Sequence, residues 1–244
     1  MGISFDYEMY IRPDDIGSAL RFLAARAPQE DRPETTVILR SGERLLLPFA
    51  DSHGRQSLIN CAARDSLYLW LVLEVDVDQE IARRFTLFDW PQFTEIDGKT
   101  YRYKDDLSDR DLDDLDLDDR QLRDRGILVS TGTTSVGVHF EIDFSSRPDP
   151  HLARLRCWSW STRTHFLFGS SPEFYRVFAD LAAATHAVCW FQGCEIGDDI
   201  TVYWLNGEAI DPIRVPVEKF ATVGELTTSL SESRRNNHAP PLCP

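Results

Sequence analysis

The chain has 244 residues, 42% of them hydrophobic and 11% aromatic, enough for a substantial core and incompatible with disorder throughout. Its formal charge of −14 and pI near 4.8 oppose non-specific attraction to nucleic-acid phosphates or anionic membranes. Neither nucleic acid nor membrane is therefore expected as a partner.

Met1 to Tyr10 lacks a basic start and a continuous apolar stretch, and the longest apolar run, Leu67 to Leu73, is far below spanning length. A soluble, cytoplasmic protein is expected. Five cysteines, an odd number, point to reduced thiols rather than a disulfide framework. Cys189 and Cys194 are the only close pair, and no second pair or spaced histidines complete a metal site, so no metal is expected. The basic residues are 23 Arg and 3 Lys, a bias that suggests a GC-rich bacterial genome.

In chain order, Phe5, Tyr7, Met9 and Ile11 alternate with Asp6, Glu8 and Tyr10, the period of a half-buried strand. Pro13 and Asp14 start a helix whose apolar stripe is Ile16, Ala19, Leu20 and Leu23, ending before Pro28. Two extended segments, Thr36 to Arg40 and Arg44 to Phe49, form a hairpin around Ser41-Gly42. A short helix is expected around Gln56 to Ala63. Strand character follows at Leu67 to Val77 and Arg84 to Phe88. Both parities of Leu67 to Leu73 are apolar, which predicts a central strand covered on both faces.

Between residues 105 and 119 stand nine aspartates and one arginine, a local formal charge of −8. As a helix over 108–125, this segment would be capped by Ser108, with aspartates near its start and Arg120, Arg123 and Arg125 near its end, complementing the helix dipole. An EF-hand is excluded, because no glycine holds the sixth loop position and no glutamate the twelfth. The bland role of such a run is solubility; the functional one is docking of a basic protein.

Ile127 to Ser130 and Val136 to Phe144 again read as strands. On the second, His139, Glu141 and Asp143 share one face, and the proline-bearing loop Ser145 to His151 turns the chain back into Leu152 to Trp160. Pairing residues whose numbers sum to 297 sets Asp143 against Arg154, Glu141 against Arg156 and His139 against Trp158, while Ile142 meets Leu155 and Phe140 meets Cys157. A one-residue slip would set phenylalanine against arginine.

His165 to Phe168 is expected as a strand, Ser171 as a helix cap before Pro172, and Phe174, Val177, Phe178 and Leu181 as the buried stripe. Ala187 to Phe191 and Ile200 to Leu205 are extended, and Asn206-Gly207 marks a tight turn. The polar end of the chain, residues 233–244, is expected to be a disordered tail.

These elements predict an α+β fold: an extended, mainly antiparallel sheet with a few helices on one face, in a single domain over 1–232. The shared stripe spacing of the two helices suggests related β-α-β-β halves, 1–104 and 127–232, joined by the acidic segment 105–126.

No dinucleotide-binding glycine motif, Walker loop, His-Glu-x-x-His or Gly-x-Ser-x-Gly occurs, and no cofactor is expected. The leading expectation is a non-catalytic protein that binds a basic protein partner, in its most concrete form an immunity or antitoxin protein. Its binding residues would be Asp105, Asp106, Asp109, Asp113, Asp116 and Asp118. The alternative is an enzyme or small-molecule binder whose ligand face comprises His139, Glu141, Asp143, Arg154, Arg156, Trp158 and Trp160. There, His and Glu would exchange protons and the arginines would hold an anionic substrate.

Overall fold

The computed structural model describes residues 5–28, 34–51, 57–76, 94–96, 99–103, 126–128, 133–146, 149–158, 168–169, 171–194, 199–216 and 222–237. The acidic run 105–119, the segment 84–88, Gln56 and Trp160 lie outside these residues.

The described strands are β1 (Phe5–Ile11), β2 (Thr35–Ile38), β3 (Arg44–Leu47), β4 (Ala50–Asp51), β5 (Leu58–Asn60), β6 (Ser66–Asp76), β7 (Thr94–Ile96), β8 (Lys99–Tyr103), β9 (Gly126–Leu128), β10 (Thr133–Asp143), β11 (Ala153–Trp158), β12 (Cys189–Cys194), β13 (Asp199–Leu205) and β14 (Glu208–Pro216). The helices are α1 (Ile16–Ala24), α2 (Pro172–Ala184) and α3 (Val223–Asn237). An eight-stranded antiparallel sheet in the order β14-β13-β12-β1-β11-β10-β6-β4 dominates the architecture. Two three-stranded sheets accompany it, β3-β2-β5, in which β2 and β5 run parallel, and β7-β8-β9. The fold is thus α+β with a large, mainly antiparallel sheet.

Alternation on the long strands sends one parity into the main core. Tyr7, Met9 and Ile11 of β1 are buried with Leu155 and Cys157 of β11, Val138, Phe140 and Ile142 of β10, and Leu67, Leu69, Leu71 and Leu73 of β6. The stripes of α1 (Ile16, Ala19, Leu20, Leu23) and α2 (Phe174, Val177, Phe178, Leu181) close this core. Each fully buried Leu or Phe side chain contributes about 1.5–3 kcal/mol of transfer free energy. The Arg26–Asp180 ion pair, 2.8 Å, links the end of α1 to α2 at the surface.

Local signals explain where the elements begin and end. Ser171 Oγ accepts the Phe174 backbone N–H at 3.1 Å, capping α2 with Pro172 at its first position. Pro13–Asp15 form one 3-10 turn before α1 starts at Ile16. Asn206 and Gly207 both take positive φ, 52° and 86°, which is why this pair makes the tight β13-β14 turn. Gly42, also at φ 86°, serves the turn between β2 and β3.

Several expectations change. Strand β6 stands next to last in the sheet, bordered by β10 along its whole length and by β4 over only two residues. Its odd positions are buried, whereas Tyr68, Trp70 and Val72 are half-buried on the opposite face, so the strand is not central and equally covered. Of the strand expected over His165 to Phe168, residues 165–167 lie outside the described residues and Phe168 is helical. In place of a helix through 63, β5 spans Leu58–Asn60 and only Cys61–Ala63 turn as a 3-10 helix, with Asn60 Oδ1 accepting the Ala62 N–H at 3.0 Å.

Helix α3 continues to Asn237, past the boundary expected at 232. It lies on a second apolar cluster in which Val223, Leu226 and Leu230 meet Tyr10, Cys189, Val202 and Val215, adding cover to the other face of the sheet at its β12-β14 end. The hairpin after α1 belongs to a small sheet, while β12 and β13, after α2, extend the large one. The two helical stripes match, but the strands that follow them are used differently.

Candidate functional site

The face of the large sheet opposite α1 and α2 carries the polar residues of β1, β11 and β10. The β10-β11 register is His139↔Trp158, Phe140↔Cys157, Glu141↔Arg156, Ile142↔Leu155 and Asp143↔Arg154, the pairing in which the numbers sum to 297. Strand β1 joins the other side of β11, with Asp6↔Trp158, Glu8↔Arg156 and Tyr10↔Arg154. Strand β6 flanks β10, with Trp70 opposite His139 and Tyr68 opposite Glu141.

Three rows therefore cross the sheet. The first runs Gly193, Asp6, Trp158, His139, Trp70; the second Phe191, Glu8, Arg156, Glu141, Tyr68; the third Cys189, Tyr10, Arg154, Asp143, Ser66.

Side-chain geometry departs from the simple cross-strand pairs in one respect. Arg154 donates through Nε (3.0 Å) and Nη2 (2.6 Å) to Asp143 Oδ2, as its pairing predicts. Arg156 instead turns away from Glu141 to β1, donating through Nε to Asp6 Oδ2 at 2.8 Å. Glu8 lies between the two arginines, 3.6 Å from Arg154 and 3.8 Å from Arg156, and accepts the Tyr10 hydroxyl at 3.2 Å. Glu141 is 3.9 Å from Arg154. Four carboxylates thus surround two guanidinium groups, a formal excess of two negative charges on a face whose acidic side chains are only 15–26% exposed.

Aromatic rings continue the face toward β6. The Arg156 guanidinium lies over the Trp158 ring at 5.1 Å. His139 stacks on Trp158 with centroids 5.5 Å apart and meets Trp70 edge-on at 4.6 Å. Tyr68 meets Trp158 edge-on at 5.2 Å. Trp158 itself is only 9% exposed, so it is a packed member of this layer rather than an open wall.

Burial shifts the acid–base properties of the layer. Desolvation raises the Glu8 carboxyl above its ordinary value, with Asp6 adding to the rise and Arg154 and Arg156 opposing it. Desolvation also raises Glu141, assisted by Asp143 and opposed by both arginines. His139 is lowered by desolvation. Cys189, buried under the α3 cluster, has its thiol pushed up to about 12 by burial and is not a poised nucleophile.

The structure brings His139, Glu141, Asp143, Arg154, Arg156 and Trp158 together as one surface. Trp160 and Asp105, Asp106, Asp109, Asp113, Asp116 and Asp118 lie outside the described residues. Sequence reasoning missed Asp6, Glu8 and Tyr10 of β1 and Tyr68 and Trp70 of β6 as members of the face. The signal for the first three was present in their shared parity on β1; what the sequence did not show was that β1 lies beside β11.

Comparison with protein-family models, curated proteins and solved structures gave no match. The functional reading therefore rests on the site alone. Among the described residues, no three His, Cys, Asp or Glu side chains are placed to hold a metal ion, and no helix is long and apolar enough to cross a membrane. An anionic substrate gains little here, because each arginine already donates to a carboxylate on a neighbouring strand. In formal charge, carboxylates outnumber guanidinium groups on this face four to two.

Proposed function

We propose that this protein binds a basic protein partner, whose cationic side chains dock on the carboxylate–aromatic face of β1, β11 and β10. The observation that supports this reading is the commitment of Arg154 to Asp143 and of Arg156 to Asp6, which leaves Glu8 and Glu141 as carboxylates in excess. The acidic run 105–119, with its charge of −8, would steer the same partner from a distance and raise its on-rate at low salt. The most concrete form is an immunity or antitoxin protein that neutralises a basic enzyme by presenting carboxylates to it, without chemistry of its own.

Affinity capture from source-cell lysate at low and high salt tests the reading, using the native chain, a chain with the aspartates of 105–119 changed to asparagine, and a Glu8→Gln/Glu141→Gln chain. A single basic protein held at low salt by the native chain, and held less by both variants, is the expected result; that protein is then assayed for loss of activity when bound. Equal retention by all three chains overturns the proposal.

A second reading is favoured by one specific observation: on β10, burial lowers His139 and raises Glu141, bringing an acid and a base on the same face toward each other. In that reading the face is a small-molecule site where His139 and Glu141 exchange protons. Nuclear magnetic resonance titration of the His139 ring against a library of small polar ligands separates the two, since a docking surface responds to basic peptides and not to such ligands.

A further inference from the structure

Arg156 is the cross-strand partner of Glu141, yet no ion pair joins them; Arg156 reaches back to β1, with Nε and Nη2 both 2.8 Å from Asp6 Oδ2. Gly193 on β12 makes room for that arrangement, since a Cβ there would stand 2.5 Å from Asp6 Oδ1. Arg154 is likewise held by two bonds to Asp143, and its approach to Glu141, 3.9 Å, is beyond hydrogen-bond length. Glu141 therefore accepts no hydrogen bond among the described residues, although its side chain is only 20% exposed.

Tyr68 stands opposite this carboxylate on β6, half-buried and edge-on to Trp158. Trp158 already has a cation, the Arg156 guanidinium at 5.1 Å, and is only 9% exposed, so Tyr68 is the more open ring beside Glu141. We propose that Glu141 and Tyr68 form the anchor subsite of the docking face and take one arginine side chain of the partner. The inference rests on the docking reading above and narrows its chemistry to a guanidinium. A guanidinium bonds a carboxylate through two parallel N–H groups while its plane lies on an aromatic ring, and it gives up water more readily than an ammonium. A carboxylate without a donor and a reachable ring side by side meet both demands, and Arg156 over Trp158 is the same cation–ring contact made within the layer. A lysine would satisfy the charge alone. Asp6 and Asp143 then serve as positioning residues: they hold the protein's own arginines away from the place that the partner's arginine takes.

The test compares hexa-arginine and hexalysine peptide amides, equal in charge, by calorimetric titration of the full chain in which the aspartates of 105–119 are asparagine, so that binding reports this face. The arginine peptide is expected to bind about tenfold more tightly, within the range of one cation–ring contact combined with a two-bond carboxylate pair. That preference, read as the ratio of the two affinities, should fall toward one in Glu141→Gln and in Tyr68→Leu. It should persist in Tyr68→Phe, which keeps the ring, and in Glu173→Gln, the same loss of charge on α2. Because Glu141→Gln is nearly isosteric, it carries the test even if Tyr68→Leu disturbs the sheet. Equal affinity for the two peptides, or a preference undiminished in Glu141→Gln, overturns the anchor while leaving the docking reading intact. Absence of binding by either peptide overturns the docking reading and the anchor with it.

Discussion

The indole of Trp70 on β6 lies against the backbone of Gly137 on β10, so closely that a Cβ at Gly137 would stand 2.5 Å from Trp70 Cζ2. The same indole meets His139 edge-on at 4.6 Å. The missing side chain at Gly137 thus lets the aromatic layer form.

Gly137→Ala is expected to displace Trp70 and to destabilise the fold by about 1–3 kcal/mol, the usual range for inserting volume into packed structure. Urea denaturation followed by tryptophan fluorescence measures both effects at once. A stability unchanged from the native chain would show that Trp70 moves aside at no cost.

Arg154→Ala removes the cation shared by three carboxylates on a side chain that is 28% exposed. Breaking a fully buried pair costs about 3–5 kcal/mol, and partial exposure reduces the expected loss here to about 1–3 kcal/mol at neutral pH. The loss should shrink in acid, where the carboxylates take up protons and no longer repel one another. Denaturant midpoints at about pH 7 and about pH 4 check the trend.

The pH dependence of the native chain contains two opposing contributions. Glu8 and Glu141 hold their protons more tightly in the folded than in the unfolded chain. Their contribution is greatest below the unfolded glutamate value of about 4.5 and is lost as pH rises through the higher folded values. His139 behaves oppositely: its contribution is present above about 6.5 and is lost as pH falls through the lowered folded value. Glu8→Gln, which mimics the protonated form, is therefore expected to match or exceed native stability at about pH 7, with the difference vanishing near about pH 4. A Glu8→Gln chain clearly weaker than native at neutral pH would refute this.

Ser171→Ala should cost about 1 kcal/mol, because it leaves the Phe174 N–H without its acceptor at a helix start where Ser171 is only 3% exposed. Thermal unfolding measures it, and Ser171→Asp, which keeps an acceptor, should retain most of the lost stability.

The parts of this structure that were legible in the sequence are those set by near neighbours. The α2 cap, the stripes of both long apolar helices and the Asn206-Gly207 turn depend on residues within a few positions of one another. The β10-β11 register was legible as well, because only one alignment across a short loop satisfies both faces. The position of β1 between β11 and β12 was not, since its partners lie roughly 150 and 180 residues away and its alternation fits any half-buried strand. Likewise, the apolar even positions of β6 suggested a strand covered on both faces. Tyr68 and Trp70 in fact serve the aromatic layer with His139 and Trp158, so their hydrophobicity reflects cross-strand packing and not burial beneath helices.

The alternation of charge from strand to strand has a consequence for how the sheet assembles. On this face β1 displays Asp6 and Glu8, β10 displays Glu141 and Asp143, and β11 between them displays Arg154 and Arg156. Were β1 and β10 to become direct neighbours, four carboxylates would stand side by side without a counter-charge, and like charges placed opposite one another destabilise a sheet. The arginine strand between them supplies the counter-charge to both sides, so the same charge pattern that favours β11 beside β1 and β10 disfavours β1 and β10 as direct neighbours.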